Sequence, residues 1–209
     1  MRIRRQLLAE PALLVAPRLL GASLVSEIDD RLVRVRITEV EAYEGDQDPA
    51  SHAFRGQTKR TEVMFGPAGH LYCYFVYGMH WCANVVCGEQ GTAAAVLLRA
   101  AEIVTGESTA RDRAPSRLPD GKLASGPARL ARCLGLSGAH TGLDLLAPDS
   151  PVRITDLDAP GEYLTGPRVG VAAAAEHPWR FWLPDAPSVS AYRPGGRKRT
   201  AGTRQTGQP

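Results

Sequence analysis

The sequence predicts one domain whose body is built from hairpin-paired strands, with short helices at its margins. Three observations predict it. The chain has 209 residues, 44 % of them apolar, which is enough for a single core. Two pairs of β-branched and aromatic runs are each divided by a two-residue turn signal, which makes their members antiparallel neighbours. The stretches with helical character are short and lie outside those pairs.

The elements follow in chain order. Residues 12–21 read as a helix that packs through Leu13, Leu14, Ala16 and Leu20, with Pro17 imposing a kink or a late start and Gly21 a stop. Residues 24–28 and 31–43 read as a hairpin across Asp29-Asp30. In its second strand Val33, Val35 and Ile37 share a face, and a period of two places Glu39, Glu41 and Tyr43 on that same face. An apolar stripe that runs into carboxylates leads from a core into a pocket, and a bulge would reverse the assignment. Residues 44–61 form a polar loop in which Arg55, Lys59 and Arg60 can meet phosphates or simply face water. Residues 71–77 and 80–87 read as a second hairpin turning at Gly78-Met79, with Tyr77 at or beside the tip. A turn at 89–91 leads to a strand at 95–100. Residues 105–125 read as a surface loop, and 126–134 as a short helix. Strands follow at 152–155 and 168–172, and Trp179 and Trp182 belong to the core. The domain ends at 192. Residues 193–209 lack periodicity and are read as a basic disordered tail.

Composition excludes several classes. The formal charge of +3 is concentrated at the end of the chain. Residues 193–209 carry five basic groups and no acidic one, and without them the rest stands at −2. Bulk charge therefore gives no case for nucleic acid, and a basic patch must be local. Arginine outnumbers lysine 22 to 3, a bias that suits bidentate phosphate contacts but also follows from codon composition. The four cysteines have no CxxC spacing and fit buried thiols in a reducing cytosol. The start resembles a signal peptide only weakly, because Glu10, Pro11, Pro17 and Arg18 interrupt it. No run of 18 apolar residues is present to span a membrane.

The stretch from Glu41 to Asn84 concentrates the chemistry. It holds eight of the 13 aromatic residues and three of the five histidines, and residues 63–88 contain no Asp, Glu, Lys or Arg. Flat rings interleaved with a few polar groups suit a pocket that stacks a planar ligand and reads its edge. Glu41, at the end of an apolar strand face, is a candidate general base, or else a structural carboxylate paired with Arg99 or Arg60. Tyr43, His52 and Tyr74 can wall the pocket, each alone fitting an ordinary core role equally well. Asn84, within the apolar run ANVV, must find hydrogen-bond partners. His52, His70 and His80 match no zinc spacing, so neither metal nor cofactor is expected. Glu41 with Asp46 or Asp48 would supply the carboxylate pair of an inverting sugar hydrolase.

The run EAYxGxxDPASHAxRGxTKR followed by MFGPxGHLYxYxxYGMHxCxNVV resembles the alkyladenine (3-methyladenine) DNA glycosylases of the mammalian type. GPARLARCLG, GLDL at 142–145, GPRVGV at 166–171 and PWRFW at 178–182 extend the likeness over most of the chain. The resemblance implies one compact α+β domain with a curved, mostly antiparallel sheet, peripheral helices and a protruding β-hairpin. It implies a monomer that excises alkylated or deaminated purines from double-stranded DNA without cofactor, metal or membrane, in the cytoplasm. Glu41 would be the water-activating base, and Arg99 would help hold that water. Tyr43, His52 and Tyr74 would stack on the extruded base, Asn84 would exclude guanine, and Tyr77 would wedge into the duplex. Arg129, where the family more often has Lys, would keep a phosphate contact. Thr141 and the AAAAEH run at 172–177 depart from the pattern.

Overall fold

A computed structural model of the chain describes residues 4–115, 118–157 and 161–196. The tail expected to be disordered falls mostly on 197–209, outside the described residues. Among the described residues eight strands form one sheet: six run in the order β3-β4-β5-β2-β1-β6, β8 pairs with β2, and β7 pairs with β8, every pairing being antiparallel. The strands are β1 (Ser23–Ile28), β2 (Arg31–Tyr43), β3 (Leu71–Val76), β4 (His80–Cys87), β5 (Ala94–Thr105), β6 (Val152–Thr155), β7 (Leu164–Gly166) and β8 (Arg180–Trp182). The α-helices among the described residues are α1 (Ala12–Leu19), α2 (Glu107–Arg113) and α3 (Pro127–Cys133). The fold is α+β, with α1 and α3 covering one face of the sheet. None of the described helices is long and apolar enough to cross a membrane.

β2 is the axis of the sheet because its 13 residues are long enough to take two neighbours on one edge. Its first half pairs with β1 and its second half, Glu39–Glu41, with β8, while β5 runs along the other edge. The change of partner comes with a bulge. The register against β5 shifts between Ile37 and Glu39 and again between Glu39 and Val40. Val33, Val35 and Ile37 enter the main core before the bulge, and Val40 and Ala42 enter it after. The expectation that Glu39, Glu41 and Tyr43 continue the apolar face is therefore corrected. One extra residue at Thr38 reverses the alternation and sends these three to the opposite side.

Four further expectations are corrected. Residues 168–172 form no strand, since Gly170 takes a φ of +73° and Arg168 is drawn inward by polar partners. Residues 105–125 are not all loop. α2 forms there, with Glu107 in its first turn and Arg111 and Arg113 in its last, each complementing the helix dipole. The strand starting near Ala95 runs on to Thr105 beside β2. Trp179 and Trp182 are only half-buried, each serving as a face for an arginine.

The β3–β4 hairpin turns one residue earlier than Gly78-Met79 suggested. Tyr77 and Gly78 are its central residues, with φ of +54° and +67°, and the Met79 amide closes the turn on the Val76 carbonyl at 3.2 Å. Positive φ at both centres is what a primed hairpin turn requires. Tyr77 adopts it despite its Cβ and is 85 % exposed.

Candidate active site

The bulge in β2 turns two buried carboxylates, Glu39 and Glu41, away from the main core, and Glu41 lines a cleft there. Glu41 Oε1 accepts the Val169 amide at 2.6 Å and lies 3.2 Å from Arg99 Nη1, while Oε2 accepts the Tyr43 hydroxyl at 2.9 Å. Burial raises the pKa of Glu41, against the lowering pull of Arg99, the Val169 amide and Tyr43. The Tyr43 phenol is pushed far up by burial and by Glu41, so it remains a donor. Oε2 carries a single partner and is the freer basic oxygen.

Arg99 does not belong to Glu41 alone. Its Nε donates to Glu39 Oε1 at 2.8 Å, and its Nη2 reaches Ser190 Oγ at 3.2 Å. Glu39 also accepts Arg180 Nε at 2.8 Å and the Ser190 amide at 2.7 Å. Two carboxylates thus share two guanidiniums in a buried cluster whose formal charges cancel. Glu41 and Glu39 outweigh the desolvation of Arg99 and keep its pKa raised, hence the group charged.

Glu41, Arg99, Tyr77, His80 and Val169 line a cleft of about 480 Å³. Tyr43 and Tyr74 line it too, and both also line a smaller chamber of about 60 Å³ with His52, Met64, Tyr72 and Asn84. His52 stands at the chamber rim, exposed on one side. Its Nδ1 is 3.2 Å from the Tyr72 hydroxyl, and its ring meets Tyr74 edge-on at 4.5 Å. Desolvation among these rings, with Arg60 nearby, lowers its pKa to about 4, so the ring is neutral near pH 7. Asn84 Nδ2 donates to the Tyr72 carbonyl at 3.0 Å, and this bond holds the side chain in place on the chamber wall.

The structure therefore brings Glu41, Arg99, Tyr43, His52, Tyr74 and Asn84 around two spaces that share Tyr43 and Tyr74 as walls, with the exposed Tyr77 lining the larger. Of the expected phosphate-binding residues, Arg60 lies over the Tyr74 ring at 5.7 Å and reaches His52 Nε2 at 3.5 Å. Arg55 and Lys59 are exposed in the loop before it, and Arg129 is exposed on α3 beside the cleft-lining Pro127 and Ala128. His52, His70 and His80 do not converge. Among the described residues no three His, Cys, Asp or Glu side chains group to hold a metal.

Several residues escaped sequence reasoning as site components. Tyr72 alternates with Tyr74 along β3 and was findable on that spacing. Val169 contributes a backbone amide, which leaves no side-chain signature. Arg168 and Asp48 form a fully buried bidentate pair at 2.5 and 2.8 Å. Arg168 also packs between Tyr43 and Trp179, 4.6 and 4.9 Å from their ring centres, and donates to the Ala42 carbonyl. This pairing removes the sugar-hydrolase reading. Both oxygens of Asp48 are engaged by Arg168, and Asp46 is exposed.

A family model for methylpurine-DNA glycosylases matches residues 6–187. The chain belongs to the methylpurine-DNA glycosylase family. Curated relatives agree with that model. One from Streptomyces avermitilis is 49 % identical over 195 residues, covering 91 % of this chain and 92 % of its own. One from Leifsonia xyli is 53 % identical over 187 residues, covering 86 % and 87 %. One from Nocardia farcinica is 50 % identical over 195 residues, covering 90 % of each. All three carry the provisional name 3-methyladenine DNA glycosylase. As a methylpurine-DNA glycosylase the chain is an N-glycosyl hydrolase of DNA repair.

Proposed function

We propose that this methylpurine-DNA glycosylase releases alkylated and deaminated purines from duplex DNA by flipping the damaged nucleotide and delivering water to its anomeric carbon. The observation that carries the reading is the position of Glu41. It is a buried, partly desolvated carboxylate with one lightly engaged oxygen, on the wall of a cleft that shares Tyr43 and Tyr74 with a chamber walled by rings. The extruded base enters the chamber, where Tyr43, His52 and Tyr74 offer faces and edges and Asn84 stands against the purine edge. The sugar then lies in the cleft beside Glu41.

An N3- or N7-alkylated purine is already cationic and departs with little acid assistance. Catalysis is then mainly the placing of water and the support of positive charge on the sugar. Glu41 Oε2 takes the proton of that water, and Arg99 orients it. The neutral His52 does not repel a cationic base. Tyr77, at the mouth of the cleft, fills the gap left in the base stack. Arg55, Lys59, Arg60 and Arg129 meet the phosphates, with neither metal nor cofactor called upon. One chain supplies every residue of the site, so a monomer suffices, and four buried free thiols suit the reducing cytoplasm.

The test is single-turnover release of base from a duplex carrying one 3-methyladenine or hypoxanthine, for the wild type and for Glu41→Gln. The wild type frees the base. The variant binds the duplex and frees almost none, because the swap keeps shape and removes the basic oxygen. It folds, since Arg99 retains Glu39 and Ser190. A wild type that binds lesions without releasing base would favour a damage-binding module. One that acts on free nucleosides but not on the duplex would favour a nucleoside hydrolase.

A further inference from the structure

The match to the family model stops at residue 187, yet the chain continues across the active site. Ser188 Oγ meets Thr38 Oγ1 at 2.7 Å, at the bulge of β2. Ser190 is held on four bonds. Its amide and hydroxyl reach Glu39 at 2.7 and 2.8 Å, Arg99 Nη2 reaches its hydroxyl at 3.2 Å, and Arg180 Nη2 reaches its carbonyl at 2.6 Å. The Gly170 amide donates to the Arg193 carbonyl at 2.8 Å. Gly195 lies so close to the Val171 backbone that a Cβ would come within 2.5 Å of it. The segment is thus a strap sewn to the catalytic cluster at one end and to the loop behind Glu41 at the other.

What the strap delivers is charge. Arg193, Pro194 and Gly196 line the same cleft as Glu41, Arg99 and Tyr77. The Arg193 side chain is exposed, and among the described residues it makes no ion pair. The other arginines beside Glu41 and Tyr43 are committed to carboxylates, Arg99 to Glu39 and Glu41, Arg180 to Glu39 and Arg168 to Asp48, and cannot serve a phosphate. A cleft that takes an anionic backbone needs a free cation at its wall, and the strap supplies one.

We propose that residues 188–196 are an integral part of the DNA site and that Arg193 binds a backbone phosphate of the lesion-bearing strand within the catalytic cleft. The proposal rests on the glycosylase reading above and adds a contact beyond the family-matched region. Binding of a duplex carrying one ethenoadenine is followed by fluorescence anisotropy at several KCl concentrations. The Glu41→Gln background keeps the lesion in place. Arg193→Ala weakens binding several-fold and lowers the slope of log affinity against log salt by about 0.9, the share of one B-DNA phosphate contact. Arg18→Ala, on the far helix, leaves the slope where it was. The Arg193 effect persists in a full-length chain with Arg197, Lys198 and Arg199 changed to Ala, which separates the cleft contact from general attraction by the tail. Gly195→Val pushes the strap off Val171, and Arg193→Ala then adds nothing further. An unchanged slope in Arg193→Ala, with normal binding by its parent, overturns this proposal alone. A wild type that neither binds nor cleaves lesion duplexes overturns the glycosylase reading itself.

Discussion

Tyr77 allows a prediction in which stability and activity move in opposite directions. It sits in the hairpin turn at a φ of +54°, where its Cβ crowds the following carbonyl. That conformation costs an ordinary L-residue about 1–2 kcal/mol. The ring recovers little of this within the protein, because the residue is 85 % exposed. Asparagine tolerates the left-handed region far better, so Tyr77→Asn should relieve about 1 kcal/mol. For a chain of this size that raises Tm by about 2–4 °C. The same change removes a ring that stacks in the duplex, worth on the order of 1–3 kcal/mol, or roughly five- to a hundredfold in the flipping equilibrium. Scanning calorimetry reads the first effect. The fluorescence of an ethenoadenine probe, which brightens when unstacked, reads the second. A lesion placed opposite a gap should lose much less, since no stack has to be refilled there. A variant with lower Tm, or with unchanged probe fluorescence in intact duplex, would refute the idea that strain is kept at this turn for the sake of the wedge.

Four further outcomes follow from the site. Release of base falls as pH drops through the pKa of Glu41, and burial sets that acid limb above the ordinary carboxylate range. A pH–rate profile under single-turnover conditions locates it. Glu39→Gln removes a negative neighbour and frees Arg99 to pair more fully with Glu41, so the limb moves to lower pH, at a cost of about 3–5 kcal/mol of stability from the unpaired Arg180. Asn84→Ser shortens the fixed edge of the chamber and should cut discrimination against guanine by ~1–3 kcal/mol, read as guanine release relative to lesion release. Sodium borohydride traps no covalent protein–DNA adduct, and no strand breaks appear without alkali. Lys59 is exposed, and Lys122 is tied to the Pro187 carbonyl at 2.5 Å, so among the described residues no desolvated lysine amine is at hand to form a Schiff base. An adduct would point first to Lys59.

Much of this architecture could be read from the sequence, and the failures have identifiable physical causes. The bounds of β2 and β4 followed from period-two alternation and from turn residues, both local properties. The face on which Glu41 lies did not, because a bulge leaves no mark in composition and inverts the side chains beyond it. α2 was missed because ESTARDR has a single buried residue, Ala110, and so no apolar stripe, although its acidic start and basic end were a signal of another kind. The segment 168–172 looks like a strand until Arg168 is paired with Asp48, 120 residues earlier in the chain. Family motifs pointed to Glu41, Tyr43, His52, Tyr74, Asn84 and Arg99 as candidates, and the fold brings these residues together. They did not point to Glu39, Ser190 or the Val169 amide, whose contacts with Arg99 and Glu41 exist only once distant segments meet.

Those three groups bear on how a buried glutamate can remain a usable base. A carboxylate facing one dedicated arginine would be strongly stabilised as the anion and would accept a proton reluctantly. Glu39 prevents that arrangement. It takes the Nε of Arg99 at 2.8 Å and leaves Nη1 at 3.2 Å from Glu41, a longer and less complete contact. Arg180 and the Ser190 amide and hydroxyl then satisfy the remainder of Glu39, so no charge in the cluster is left without a partner. The Val169 amide and the Tyr43 hydroxyl hold Glu41 in place with neutral donors, which orient a carboxylate while lowering its basicity less than a second cation would. The balance leaves the pKa of Glu41 raised by burial, against the pull of Arg99, the Val169 amide and Tyr43, which is the condition the proposed general base requires. It also explains why the strap after residue 187 matters to the chemistry. Without Ser190, Glu39 loses two of its partners, and the division of Arg99 between the two carboxylates no longer holds.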